Sequence, residues 1–278
     1  MVEDGKIGEA VSLEGDFYND CSAKWHMLTR GIRNHWRNFV PSTFYCTHSI
    51  APMFYATGLR ATKVNGLEIP RMDYMAEGGA RSGSAAMEVM ELSNGGMARS
   101  THGNLRYPYT TTIRLIGADG SIESDSETVK YYRANGSGGF EITSYKASFV
   151  DFPYRNHADC GAIGNGDYSA VGFFLAKILG DDQWGKYSID IYQALDMALP
   201  GLLAFRSILD GGAPYTVPDF RDPAIREKYR NDHYCTDPRT PELYRLATSK
   251  SGTPDVDEAV YEAVQAKFGG VELTPGQK

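Results

Sequence analysis

The order of apolar and polar residues divides the chain into a strand-rich first half and a helix-rich second half. Alternating apolar positions predict strands, and glycine-containing turns between them predict hairpins. Asn94-Gly95, Asp119-Gly120 and residues 136–139 supply the turn residues that tight hairpins need. The predicted strands are residues 7–17, 62–69, 86–92, 97–102, 111–116, 121–124, 129–133 and 140–144.

Helical periodicity takes over after residue 165. Apolar residues at 192, 195, 199, 202, 205 and 209 recur in steps of three and four, which predicts one buried helix face over 188–209. Asp167 is typical of an N-cap for a helix over 168–179 that ends at Gly180. Thr253-Pro254 predicts the start of a last helix reaching 268, with a frayed tail over 269–278.

Strands followed by helices indicate an α+β fold. The predicted architecture is an open, mostly antiparallel sheet, built as a meander of hairpins and covered by helices on one face. The segment 86–92 is apolar on both faces, which is typical of a sheet covered on both sides. We therefore expect the second face to pack against another subunit. The predicted division is a domain over 1–248 and a C-terminal helix and tail over 249–278.

Composition excludes several classes of function. The chain has 28 basic and 35 acidic residues and a net charge of −7, which argues against a nucleic-acid or anionic-membrane partner. No apolar run approaches the ~20 residues that cross a bilayer, and the N-terminus has no signal-peptide pattern. The four cysteines form no C-x-x-C pair, so no metal site is expected, and free thiols in a reducing cytoplasm are predicted.

His48 is the leading candidate for chemistry. It stands at the start of an apolar, helix-like run that ends at Gly58. Pro52 has no N–H to bond back to the His48 carbonyl, so the helix either begins near His48 or is kinked there. Tyr45, three residues earlier, shares a face with His48 if this turn is helical. We take both as catalytic candidates, although a lone histidine beside an apolar helix is more often structural.

A sugar pocket is the predicted setting for these two residues. The long connection over 18–42 carries Trp25, Trp36 and Arg37, an aromatic wall with a polar hook of the kind that sugars prefer. An ordinary surface loop whose tryptophans pack on the core is an equal alternative. Further predicted substrate contacts are His102 and Asn104 at a strand end, together with Asp167. The glycine loop 161–166 has the spacing G-x-x-G-x-G, which is not the dinucleotide fingerprint, so no cofactor-binding residues are predicted.

Several motifs in order resemble one enzyme family. They are residues 4–11, His48 with its helix to Gly58, Asn94-Gly95, and residues 115–123, 204–212 and 218–220. Together they resemble the second domain of the Gfo/Idh/MocA oxidoreductases. In that family a Rossmann domain binds NAD or NADP, and the second domain builds the substrate pocket and packs between subunits. The chain resembles only this second domain.

The resemblance implies hydride transfer between a sugar-like carbinol and a nicotinamide, with His48 as general base. The D-x-G-x-H pattern of the family is altered, because Phe44 and Cys46 occupy its aspartate and glycine positions. Tyr45 is then the expected proton partner. Since the motifs of the nucleotide domain are missing, we expect a substrate-binding and oligomerisation domain that binds no NAD(P) tightly and is inactive alone.

Two alternatives stay open. The first is a stand-alone carbohydrate-binding or scaffold protein without redox activity. The second is a cofactor-free lyase or hydrolase that uses His48 and Tyr45. In each case a sugar-like small molecule and a homo-oligomer formed through the sheet are the expected partners.

Overall fold

A computed structural model describes residues 1–125, 127–147 and 165–267, without the side chains of 165–168. The strands are β1 (Ala10–Tyr18), β2 (Ala61–Ile69), β3 (Ala85–Leu92), β4 (Met97–Gly103), β5 (Thr110–Gly117), β6 (Gly120–Ser124), β7 (Thr128–Ala134), β8 (Phe140–Lys146) and β9 (Tyr215–Thr216). The helices are α1 (Ser22–Thr29), α2 (Thr47–Thr57), α3 (Asp73–Ala76), α4 (Asn165–Leu179), α5 (Asp182–Gly185), α6 (Ile191–Leu209), α7 (Pro223–Tyr229) and α8 (Glu258–Lys267). Short 3₁₀ turns cover Trp36–Phe39, Ser42–Cys46 and Glu242–Tyr244.

The predicted fold class is wrong, because the strands form a nine-stranded mixed sheet and not an open antiparallel meander. Their order is β8-β7-β6-β5-β1-β4-β3-β2-β9. The first strand lies between β5 and β4, parallel to β4 and antiparallel to β5. Consecutive strands β4 and β5 are therefore separated by β1. Hairpin signals report only neighbours along the chain, and nothing in the periodicity of residues 7–17 showed that this strand would enter the centre.

Two helices cover the inner face of the sheet at points where glycine replaces a side chain. A Cβ on Gly15 of β1 would lie 2.7 Å from the Ser49 carbonyl oxygen of α2. A Cβ on Gly66 of β2 would lie 2.2 Å from the Ala204 carbonyl oxygen of α6. Both helix backbones thus approach the sheet directly. The core between them includes Leu13 and other fully buried side chains: Ile7, Ile50, Met53 and Val64.

The opposite face of the sheet carries a row of alternating charges across five strands. Arg99, Glu14, Arg114, Glu123 and Lys130 are successive register partners on β4, β1, β5, β6 and β7. Glu14 lies 2.9 Å from Arg99 and 2.7 Å from Arg114, which also lies 2.8 Å from Glu123. Cross-strand pairs of opposite charge favour this register. The helices therefore cover one face, and the other is polar at its centre.

The predicted helices differ from the observed ones mainly at their starts. Helix α2 begins at Thr47, one residue before His48, and ends at Gly58 with φ 68°. Helix α4 begins at Asn165, so Asp167 lies inside it and is not an N-cap; its side chain is outside the described residues. The last helix begins at Glu258 and not at Thr253. Residues 268–278 lie outside the described ranges.

Helix α6 matches its prediction closely. It covers Ile191–Leu209, and Asp190 caps it by accepting from the Gln193 N–H at 2.8 Å. Gln193 in turn accepts from the Asp190 N–H, which completes a capping box. Across the described ranges, no helix is both long and apolar enough to span a membrane.

Candidate active site at the ends of β1 and β4

The candidate site lies where the carboxyl ends of β1 and β4 meet. Parallel strands end at the same edge of a sheet, and ligands of α/β sheets commonly bind at that edge. Here Tyr18 ends β1 and is the register partner of Gly103, which ends β4. The first turn of α2, which carries His48, lies over the same edge. The single parallel pair within the described sheet thus places the predicted base beside the strand-end residues.

His48 is exposed and held by two contacts. Its ring stacks on Phe17 of β1, with centroids 4.1 Å apart and an angle of 25° between the planes. Its Nδ1 lies 3.3 Å from the Tyr45 carbonyl oxygen. A carbonyl only accepts, so this contact places the proton of the neutral ring on Nδ1 and the lone pair on Nε2. A general base needs such a lone pair.

Tyr45 is the partner of His48 that the sequence suggested. The two ring centroids are 5.6 Å apart. Arg37 donates to the Tyr45 hydroxyl oxygen at 2.5 Å and lies 4.6 Å from the Trp36 ring centroid, which is a cation–π contact. Because the hydroxyl accepts from Arg37, its own hydrogen can be donated to a ligand. The site therefore offers an acceptor on His48 and a donor on Tyr45.

Four of the predicted site residues line one narrow cleft beside this pair. They are Trp25, Arg37, Tyr45 and Asn104, and the cleft has a volume of about 30 Å³. The Trp25 indole N–H donates to Asn38 at 3.0 Å in the buried interior, so only its ring serves the cleft. The Asn104 side-chain oxygen accepts from the Cys21 N–H at 3.2 Å, so any ligand contact falls to its carboxamide nitrogen. A cleft this small holds a group of about one water molecule, so a sugar ring would lie across its mouth.

Two predicted contacts lie elsewhere. Trp36 lines a separate apolar groove of about 270 Å³ on the far side of the segment that follows it, together with Phe44 and Tyr234. His102 is 0% exposed and lies under the first turn of α2, where a ligand cannot reach it. Trp36 still contacts Arg37 of the site through its ring, and His102 still senses the charge of His48.

Sequence reasoning missed the aromatic side chains that complete the rim. Phe17 supports His48, and Tyr109 packs edge-on against Phe17 at 5.8 Å. Tyr18 makes a similar edge contact with Tyr107 at 5.7 Å. All four residues stand at or just beyond the strand ends that flank the site. The sequence does show aromatic residues at the ends of the strands 7–17 and 97–102. Only the pairing of these strands, which the sequence does not reveal, brings those residues together.

Sequence reasoning also missed Glu88 and Ser100, which form a buried polar cluster with His102 beneath the site. Glu88, Ser100 and His102 are each 0% exposed and lie on the inner face of β3 and β4. Burial raises the pKa of the Glu88 carboxyl well above its ordinary value. Burial, and then the charge of His48, lower the pKa of His102 to about 4. Glu88 occupies the same strand face as Ala86 and Met90. A charged residue at such a core position could have indicated the buried cluster from the sequence.

Two turns among the described residues lack the form that holds a dinucleotide. Diphosphate groups are held by glycine-rich turns that join a strand to the N-terminus of a helix. The connection from β1 to α1 is Asn19-Asp20-Cys21, and the turn 136–139 joins two strands, so neither has that form. The loop 161–164 lies outside the described residues. In the ranges described, no group of three or more metal-ligating side chains is present.

Comparison with known proteins gives distant relatives. No protein-family profile matches the chain. A glycosyl hydrolase family 109 protein from Streptomyces coelicolor is 23% identical over 264 residues, covering 82% of this chain and 54% of that protein. Levoglucosan dehydrogenase in complex with NADH and L-sorbose matches with a TM-score of 0.57 at 18% identity, over 79% of this chain and 61% of that one. An oxidoreductase from Sinorhizobium meliloti matches with a TM-score of 0.54 at 16% identity, over 78% and 59%.

These matches show a shared fold and correct the resemblance drawn from the sequence. Solved oxidoreductase structures align from the N-terminal part of the chain onward, over a mixed sheet. That likeness shows the fold alone. It does not support restricting the chain to a C-terminal domain without a nucleotide-binding half, and we withdraw that assignment. The chain spans 54% to 61% of the length of these three relatives.

Proposed function

We propose that this chain acts as a sugar-acting, NAD(P)-dependent oxidoreductase, in which His48, Tyr45 and Arg37 bind the sugar and transfer a proton. The arrangement of His48, Tyr45 and Arg37 at the carboxyl ends of β1 and β4 carries the proposal. Relatives of the same fold were solved with NADH and with levoglucosan or L-sorbose. A rim of aromatic rings beside charged and amide donors suits the C–H faces and hydroxyls of such ligands.

The proton step follows from the geometry of the site. A sugar hydroxyl that meets Nε2 of His48 gives its proton to the lone pair there as the hydroxyl carbon is oxidised, and the imidazole becomes an imidazolium. The Tyr45 carbonyl, 3.3 Å from Nδ1, stabilises that cation. Tyr45 donates to a neighbouring sugar oxygen while Arg37 holds its hydroxyl. The hydride of the same carbon would be accepted by the nicotinamide of bound NAD⁺ or NADP⁺, which is the two-electron oxidant that this reaction requires.

The test measures binding and turnover separately. Isothermal titration with levoglucosan and L-sorbose should show binding that weakens at least about tenfold in Arg37→Met, because a charge-assisted contact at Tyr45 is lost. His48→Gln should keep binding and lose about 10²–10⁴-fold in turnover with added NAD⁺ or NADP⁺. His233→Gln, which changes a histidine next to Tyr244, is the matched control. A chain that binds neither sugar, or an unimpaired His48→Gln, would overturn the proposal.

Glycoside cleavage is a second candidate. It is favoured by the glycosyl hydrolase family 109 relative, and the same acceptor and donor pair could act on the hydroxyl and the glycosidic oxygen of a glycoside. Release of p-nitrophenol from p-nitrophenyl glycosides, lost in His48→Gln, would favour this reaction. Oxidation of levoglucosan without such release would favour the first.

We also propose that the open face of the sheet packs against a second copy of the chain. Leu67 and Val89 are 63% and 46% exposed there, and Met87 lies between them as the register partner of Leu67. A two-fold axis that passes between two neighbouring members of the charge row, such as Glu14 and Arg114, would set opposite charges of the two copies against each other. Light scattering should show a dimer or larger assembly that dissociates in Leu67→Lys. Leu179→Lys, on the exposed side of α4, is the control, and a monomeric wild-type chain would refute this.

A further inference from the structure

A buried chain of polar side chains runs beneath the first turn of α2. It consists of Ser49, Ser100, His102 and Glu88, all 0% exposed. Ser49 Oγ lies 2.7 Å from Ser100 Oγ, and Ser100 Oγ lies 3.3 Å from His102 Nδ1. His102 Nε2 lies 3.7 Å from Glu88 Oε1. Polar groups buried this deeply need partners, so their donors and acceptors must match along the chain.

The direction of the hydrogen bonds in this buried row is fixed at its Ser49 end. Ser49 Oγ lies 3.1 Å from the Cys46 carbonyl oxygen, and a carbonyl only accepts, so Ser49 donates there. Having one hydrogen, Ser49 must then accept from the Ser100 hydroxyl. Ser100 has in turn used its hydrogen and must accept from Nδ1–H of His102. A neutral imidazole with its proton on Nδ1 carries a lone pair on Nε2.

The other end requires a donor. His102 Nε2 and both oxygens of Glu88 have no hydrogen-bond partner among the described residues. An ionised carboxylate would place a second acceptor opposite the lone pair of Nε2, whereas a carboxylic acid supplies the missing hydrogen. No titratable group that faces Glu88 and His102 among the described residues is a permanent cation that could stabilise an ionised Glu88. The facing groups are the buried Cys46 thiol, whose pKa is raised by burial and then by Glu88, and His48 on α2, whose charge opposes a charge on His102.

This chain ends beside the proposed base. Ser49 follows His48 in α2, and the two residues contact consecutive carbonyls, those of Cys46 and Tyr45. Phe17, on which the His48 ring stacks, is the register partner of His102. Movement of Ser49 off Ser100 would therefore shift the His48 ring across Phe17.

We propose that Glu88 and His102 are positioning residues for His48, and that they act through a one-directional hydrogen-bond chain that begins at a protonated Glu88. Glu88 faces Nε2 of His102 as its donor across 3.7 Å, which is longer than a formed hydrogen bond, while His102 donates to Ser100, Ser100 to Ser49, and Ser49 to the Cys46 carbonyl. The role of this hydrogen-bond row in catalysis rests on the proposed function of His48. The geometry of the row does not depend on that function.

Nitrogen NMR of the full chain at pH 7 tests the proton positions. His102 should show a protonated Nδ1 and an unprotonated Nε2, the less common tautomer of a free histidine. Glu88→Gln keeps a donor at this position and should preserve that tautomer, whereas Glu88→Met removes the donor and should lose it. A doubly protonated His102, an Nε2–H tautomer, or identical spectra of the two variants would overturn the chain.

The positioning role is tested on the His48 ring itself. Its Cε1 proton should be shifted upfield by Phe17, and Phe17→Leu, which removes the ring current, defines the unshifted value. The shift should persist in Glu88→Gln and be reduced by at least half in Glu88→Met and Ser100→Ala. If Glu88→Met does not fold, Ser100→Ala decides alone, and an unchanged shift there refutes positioning. Because no sugar is present, failure of sugar binding would refute the proposed function and leave this result standing.

Discussion

The strongest quantitative prediction concerns how stability depends on pH in variants of Glu88 and His102. The pKa of His102 is lowered from 6.5 to about 4, mainly because burial disfavours its charged form. The unfolded chain then binds a proton between these values that the folded chain does not. This histidine contributes stability that is fully present above pH 6.5 and is lost as the pH falls to about 4. At about 1.4 kcal/mol for each pKa unit, the loss is about 3 kcal/mol.

Glu88 acts in the opposite direction. Burial raises its pKa well above 4.5, so the folded chain keeps a proton that the unfolded chain releases. Its contribution to stability is fully present below pH 4.5 and is lost as the pH rises toward the pKa of the folded state. Between pH 4.5 and 6.5 the two residues bind protons with opposite sign. We therefore expect their effects to cancel in the wild-type chain across this window.

Single substitutions should separate the two effects. Relative to wild type, Glu88→Gln should lose about 1.4 kcal/mol of unfolding free energy per pH unit as the pH falls toward 4.5, because it lacks the proton that the folded wild-type chain keeps on Glu88. His102→Gln should lose about 3 kcal/mol relative to wild type as the pH rises from about 4 to 6.5, because only the wild-type chain gains the His102 contribution there, and the difference should be constant above pH 6.5. Urea unfolding followed by tryptophan fluorescence at half-unit steps of pH measures both. Subtracting the wild-type curve removes the titration of other groups.

The result that would refute the reasoning is a pair of flat difference curves. If both variants were destabilised equally at every pH, neither residue would change its proton binding on folding, and the pair would be ordinary polar packing. If only the Glu88→Gln difference curve were flat above pH 5, Glu88 would be ionised in the folded chain over that range. That outcome would also remove the donor on which the chain beneath His48 depends.

Three further outcomes follow from the packing. Gly66→Ala should destabilise the fold by about 3 kcal/mol in urea unfolding, because its Cβ would lie 2.2 Å from a carbonyl oxygen of α6. Asp196→Asn should cost about 3 kcal/mol, since this buried carboxylate lies 3.0 and 2.8 Å from two arginines, whereas Asp182→Asn on the surface should cost under about 0.5 kcal/mol. Cys46, whose thiol pKa is raised by burial, should react with a thiol reagent at least about tenfold more slowly than exposed Cys235, so Cys235→Ser should remove a fast-reacting equivalent that Cys46→Ser leaves unchanged.

Local signals predicted the elements of this fold better than their arrangement. The hairpin at Asn94-Gly95 is present, with Gly95 at φ 83°, and so are the strands on either side. The stripe of apolar residues over 188–209 became α6, and its start moved only to the residue after the Asp190 cap. Both signals depend on residues close in sequence. The insertion of β1 between β4 and β5 depends on contacts about 85 to 105 residues away, which periodicity does not encode.

The candidate site shows the same division. His48 and Tyr45 were found because a proline, a helix start and a three-residue spacing are local features. Trp25, Arg37 and Asn104 line one cleft, whereas Trp36 faces a different groove and His102 is buried. Which side of a segment faces the cleft depends on the 3₁₀ turns over 36–46, and composition does not predict those turns.

The position of β1 also explains how α2 can place His48, the proposed base, at this edge of the sheet. Because β1 runs parallel to β4, Gly15 and Ser100 are register partners directly below α2. The glycine lets the helix backbone approach, and the serine meets Ser49 at 2.7 Å. If β1 ran antiparallel to β4, its amino end would lie at this edge. Phe17 would then not lie beneath the His48 ring. The central strand that the sequence did not place is therefore the element that lies between buried Glu88 and exposed His48, the proposed base.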